Sequence, residues 1–106
     1  MSSDVVFAYC TFPSEDVAHR ICERLVLSGT IACANILSPH RALYLWKGQL
    51  QKEKEWAALL KLPARKKTEL KERIRAEHPY DVPALAFLKI DDGLPEFLNW
   101  IYYQSV

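Results

Sequence analysis

The sequence predicts an α+β domain, and three observations point to it. Two short apolar runs, 5–10 and 31–37, flank a capped amphipathic stretch of helical period. A third apolar run, Leu43-Tyr44-Leu45-Trp46, meets the hairpin signal Lys47-Gly48. The octapeptide His78-Pro79-Tyr80-Asp81-Val82-Pro83-Ala84-Leu85 then punctuates a helix-to-strand junction. Pro79 biases His78 away from helical dihedrals, so a helix before it ends there and the chain leaves extended. Pro83 lacks the N–H of a central strand, which assigns the strand that follows to an edge or a bulge.

In order along the chain, 5–10 is β-branched and aromatic on both faces and reads as a buried strand, ended by Thr11-Phe12-Pro13-Ser14. Ser14 caps the next helix, Glu15 and Asp16 suit its first turn, and Val17, Ala18, Ile21, Cys22, Leu25 and Val26 share a face that Gly29 closes. Residues 31–37 read as a second buried strand with small side chains, stopped by Ser38-Pro39. The segment 51–62 is ambiguous. Its Glu, Lys, Ala and Leu content favours helix, whereas Trp56, Ala58, Leu60 and Leu62 alternate as one face of a strand, and propensity alone tips it to helix. Pro63 ends it in either case. Residues 64–77 form a basic helix with a thin apolar stripe at Leu70 and Ile74 and one favourable pair, Glu69 with Arg73. A strand over 82–90, a turn at Asp91-Asp92-Gly93 and a short helix opened by Pro95 complete the chain. With 51–62 as a strand the order becomes β-α-β-β-α-β plus a terminal helix, a split-βαβ ferredoxin-like sandwich whose second sheet face needs a cover, usually another subunit.

The totals bound the function. At 106 residues and 12.2 kDa the chain is expected to be one domain, 1–106, hiding about two thirds of its unfolded surface. An aromatic share of 11%, with three Trp, is more large apolar surface than a small monomer readily hides, which favours an oligomer. The net charge of +1 gives no reason to expect a nucleic-acid or acidic-membrane partner. Cys10, Cys22 and Cys33 form an odd set with no C-x-x-C, so reduced thiols in a cytoplasmic protein are expected. No basic flank precedes an apolar run in the first twenty residues, and no run approaches the ~18 apolar residues of a membrane span. The Gly-x-Ser-x-Gly, Gly-rich phosphate-loop and His-Glu-x-x-His signals are absent, and Lys52-Glu53-Lys54-Glu55-Trp56 lacks the basic-glycine-aromatic run of RNA readers, so neither an enzyme nor a nucleic-acid binder is expected.

Five pieces, in their order and spacing, carry a resemblance. They are Tyr9-Cys10-Thr11-Phe12-Pro13, Ala32-Cys33-Ala34-Asn35-Ile36, Tyr44-Leu45-Trp46-Lys47-Gly48, residues 55–61, and His78-Pro79-Tyr80-Asp81-Val82-Pro83. Together the chain resembles the CutA family of divalent-cation tolerance proteins over nearly its whole length. The resemblance implies a ferredoxin-like homotrimer, similar in architecture to the PII signalling proteins, with clefts between subunits, and it makes 51–62 a strand. It also implies a link to copper and other divalent metals, through a cysteine matching Cys10, a histidine near His78 and a glutamate after the second proline. That last position is Ala84, and the family's Lys-Thr after the third strand is Lys61-Leu62.

Imidazole suits copper and thiolate suits Cu(I), so Cys10 with His78 is a chemically sensible pair, although two ligands are few and each has a bland alternative as core or cap. Cys33 in mid-strand and Cys22 on the apolar helix face read as core, and His19 and His40 need no function. Tyr44, Trp46, Lys61, Tyr80 and Trp100 are candidates to line an inter-subunit cleft, an assembly of π faces with one cation suited to a small anionic or aromatic ligand, or simply to pack the interface. The run Arg65-Lys66-Lys67 reads as a solvated helix face. Metal tolerance is the first functional expectation, and a PII-like sensor or scaffold for a small metabolite is the second.

Overall fold

The computed structural model describes residues 4–104 and contains one antiparallel sheet and three helices. Strand β1 is Val5–Phe12, helix α1 Glu15–Leu27, β2 Cys33–Ile36, β3 His40–Trp46 and β4 Gln49–Pro63. A 3-10 turn at Ala64–Lys66 leads into α2, Lys67–Glu77, followed by β5, Leu85–Lys89, and α3, Pro95–Gln104.

The two turns that set these boundaries follow from local chemistry. Ser14 Oγ accepts from the Val17 N–H at 3.1 Å, which caps α1 as expected. At the other end Gly29 takes φ +76°, its N–H donates to the Val26 carbonyl, and the Thr30 N–H donates to the Leu25 carbonyl. These are the paired bonds of a Schellman closure, which needs the left-handed region that glycine enters without strain. Lys47 and Gly48 both have positive φ, 52° and 78°, and join Trp46 directly to its partner Gln49. This two-residue primed turn fixes the β3–β4 register.

Residues 51–62 are strand, against their composition. β4 pairs with β1 from Trp56 to Pro63, with β2 from Ala58 to Lys61, and with β3 from Gln49 to Glu55, so three neighbours satisfy its backbone. Tertiary pairing overrides helix propensity here. The alternating residues Ala58, Leu60 and Leu62 join Val6, Ala8, Cys10 and Phe12 on one sheet face, and Ala18, Ile21, Cys22 and Leu25 of α1 with Leu70 and Ile74 of α2 close the core over them. At about 3.3 Å per residue a fifteen-residue strand outreaches this core, and the β3–β4 ribbon extends beyond it to give the molecule a long axis of 45 Å.

Four expectations need correction. The strand order is β2-β4-β1-β5, so β2 lies at an edge, and Cys33 is half-buried rather than core. The last strand begins at Leu85, not 82: Val82 and Pro83 precede the ladder, and β5 occupies the other edge. The sheet's second face is partly covered within the chain, by Leu98 and Ile101 of α3 against Val5 and Ala32. Arg65 is no simple solvated residue, because its guanidinium lies 4.6 Å from the Tyr102 ring centroid and donates to the Tyr102 carbonyl, while Lys66 Nζ lies 3.6 Å from Glu69.

Candidate functional site

The ribbon and the segment after α2 build a cleft of about 370 Å³ lined by Tyr44, Trp46, Gln51, Glu53, Pro79, Tyr80, Asp81 and Val82. The ribbon's wall follows from register. Tyr44 faces Gln51, Ala42 faces Glu53 and His40 faces Glu55, so one side of the ribbon carries aromatic, amide and carboxylate groups. The opposite wall exists because Pro79 turns the chain: His78 ends α2 with ψ 137°, and 79–82 run back toward the ribbon. The Tyr80 hydroxyl fastens the walls together by donating to Glu55 Oε2 at 2.9 Å.

Negative charge marks the cleft. Burial and then the Glu55 carboxylate hold the Tyr80 phenol well above its ordinary range, and burial with Glu53 beside it raises that of Tyr44. His40 Nε2 lies 3.7 Å from Glu55 Oε1, which leaves Glu55, 7% exposed, between an imidazole and a phenol.

His78 is buried behind this wall with both ring nitrogens engaged. Nε2 lies 2.7 Å from the Thr11 carbonyl, and Nδ1 accepts from the Tyr80 N–H at 3.1 Å. Those partners assign the proton to Nε2. The ring stacks on Phe12 at 5.2 Å and meets Tyr80 at 4.7 Å, so it positions the 79–82 segment against β1. Cys10 lies inside the core, fully buried, and burial followed by the neighbouring Cys22 pushes its thiol up to about 12. The suggested metal pair therefore consists of a neutral buried thiol and an imidazole without a vacant lone pair. Among the described residues no group of three or more His, Cys, Asp or Glu side chains is arranged to hold a metal ion.

Of the five predicted cleft residues, the structure brings Tyr44, Trp46 and Tyr80 together in one chain. Lys61 sits elsewhere on β4, opposite Phe7 and Cys33, buried to 7% exposure with Nζ 5.6 Å from the Phe7 ring. Trp100 lies on α3, stacked on Phe97 at 6.4 Å. Sequence reading missed Gln51, Glu53 and Asp81. The strand that the resemblance implies for 51–62, joined by the Lys47-Gly48 turn, places Gln51 opposite Tyr44 and Glu53 two residues on by alternation, and that register is the signal that finds them.

The model of the CutA1 divalent ion tolerance protein family matches residues 6–104. The divalent-cation tolerance protein CutA of Pyrococcus horikoshii is 41% identical over 95% of this chain and 98% of its own length. That of Thermotoga maritima is 40% identical over 92% and 95%. The solved structure of the divalent cation tolerance protein from Thermus thermophilus superposes with a TM-score of 0.92 at 34% identity, covering 96% of this chain and 99% of that one. The matched span includes β1 from Val6 on, the β3–β4 ribbon and the whole His78-Pro79-Tyr80 wall, and on these grounds the chain belongs to the CutA1 divalent ion tolerance family.

Proposed function

We propose that this chain works in divalent-cation tolerance as a cytoplasmic homotrimer of ferredoxin-like subunits that binds copper weakly. The observation that carries the reading is the family match across 6–104, with relatives named for tolerance of divalent cations. The strand order β2-β4-β1-β5 with α1 and α2 on one face supports the ferredoxin-like description. Assembly is supported by the ribbon, where Leu43, Leu45, Trp46 and Leu50 are large, apolar and exposed. The free thiols Cys10, Cys22 and Cys33 are consistent with a reducing compartment. Weak copper binding follows from the engaged His78, the buried Cys10 and alanine at position 84.

The test is growth of cells lacking this chain in graded copper, zinc and cobalt, with and without its re-expression. Inhibition is expected at lower metal concentration without the chain, with recovery on re-expression. Identical inhibition curves would refute the proposal.

A further inference from the structure

We propose that the outer flank of α2 docks an acidic helical segment of a partner protein through the row Lys67, Lys71 and Arg75. This goes beyond tolerance of metal ions, and none of the three belongs to the ribbon or lines the cleft beside it. All three are exposed, and their four-residue spacing sets them in a line along the helix, about 6 Å apart. Charge is sorted across α2. On the side toward α1, Glu77 lies 3.2 Å from Arg24 and 3.7 Å from Arg73, while Glu69 accepts from the Thr30 hydroxyl and lies 3.6 Å from Lys66 and 3.9 Å from Arg73. Those carboxylates are taken up by Arg24, Lys66 and Arg73. Among the described residues, Lys67, Lys71 and Arg75 have no carboxylate partner.

The row is a local cost to the free chain. Like charges four residues apart on a helix repel, and Lys67 in the first turn opposes the helix dipole. Leu70 and Ile74 hold α2 against the core in spite of this. Local choices that work against a fold without an internal gain mark surfaces used for something else. A partner that brings carboxylates at the same interval relieves the repulsion directly, and an acidic helix does so, since its own four-residue repeat is also about 6 Å. Glu72 is exposed beside Lys71 and decides between classes of polyanion. It repels a continuous phosphate backbone, whereas a peptide can set one basic residue against it. The whole-chain charge of +1 likewise gives little general attraction for nucleic acid.

The experiment uses the full chain and a fluorescein-labelled helical peptide with Glu at positions i, i+4 and i+8 and one Lys on the same face. Its comparator carries Gln at the three Glu positions, and a labelled oligothymidylate forms the nucleic-acid arm. Binding is followed by fluorescence anisotropy at low and at physiological salt. The Glu peptide should bind about tenfold more tightly than the Gln peptide, as three exposed charge pairs allow, and salt should weaken it. Lys71→Glu should abolish that preference, Lys67→Gln and Arg75→Gln should each weaken the Glu peptide severalfold, and Arg20→Gln on α1 should have no effect. In the free chain Lys71→Glu should raise the urea midpoint, because it turns two repulsive i,i+4 pairs into attractive ones, so lost binding is not lost folding. Equal affinity for the two peptides, indifference of the Glu peptide to Lys71→Glu, or tighter binding of oligothymidylate than of the Glu peptide at equal salt would overturn the proposal.

Discussion

The two halves of β4 are one continuous strand with opposite fates. From Trp56 to Pro63 it runs between β1 and β2, and Ala58, Leu60 and Leu62 are fully buried against α1 and α2. From Gln49 to Glu55 only β3 accompanies it, and most residues are exposed even where they are large and apolar. A two-stranded ribbon is at best marginally stable alone in water. The inner half therefore holds the fold, and the outer half uses that rigidity to carry side chains whose contacts lie outside the core.

The sharpest way to break this contrast is to truncate one leucine in the inner half and one on the strand that pairs with the outer half. Leu60→Ala should lower unfolding free energy by about 2–5 kcal/mol, because a fully buried side chain is lost and a cavity remains. Leu45→Ala, on the strand that pairs with the outer half and at a position 71% exposed, should change it by less than about 0.5 kcal/mol in dilute protein. Urea titration of both variants decides it, and comparable losses would erase the distinction.

The core packed against the inner half, with Cys10 of β1 and Cys22 of α1, also predicts an alkaline weakness. Burial pushes the Cys10 and Cys22 thiols up to about 12 and about 11, so above the ordinary value of 9.0 the native state keeps protons that the unfolded chain has released. Stability should then be complete below about pH 9 and fall between pH 9 and 11 by roughly 1.4 kcal/mol per pH unit for each thiol. Cys22→Ala should reduce that slope by about half. A flat profile over this window would mean that the thiols are not held in a dry core.

His78 links the two regions, and its predicted role is structural. His78→Ala takes the imidazole donor from the buried Thr11 carbonyl, leaving it the weaker Cys10 thiol at 3.9 Å, and should cost about 1–3 kcal/mol. It should also loosen the Tyr80 wall, whose N–H loses its acceptor. Copper affinity measured by calorimetry with chelator competition should stay the same. A marked loss of copper binding with unchanged stability would make His78 a ligand instead. The smallest effect is expected at position 84, which is exposed. Ala84→Glu should tighten copper by less than about tenfold, since the added carboxylate meets no free imidazole or thiolate.

Local chemistry makes much of the fold legible. Ser14, Gly29, Lys47-Gly48 and Pro79 each mark a boundary, because capping, left-handed φ and a missing N–H act over a few residues. The strand at 51–62 is not legible from composition, since Glu, Lys and Ala there are overruled by pairing with β1, β2 and β3. The exposure of β2 is hidden for a related reason: edge or centre is a property of strand order, which short apolar runs do not encode. The site is half visible. Tyr44, Trp46 and Tyr80 stand out as costly aromatics, whereas Glu53 and Asp81 look like ordinary surface charge until the register and the turn after α2 bring them together. Lys61 shares a strand with the cleft's Gln51 and Glu53 but lies on its inner half, a separation that only the sheet reveals.

That the outer half of β4 works between chains is tested most directly by light scattering after gel filtration, at micromolar protein and after serial dilution. The predicted mass is three times that of the 12.2 kDa chain, and Trp46→Ala should give a trimer that dissociates at higher concentration than wild type while its circular dichroism is unchanged. A wild-type mass of one chain throughout would contradict this, as would a Trp46→Ala trimer as persistent as the wild type.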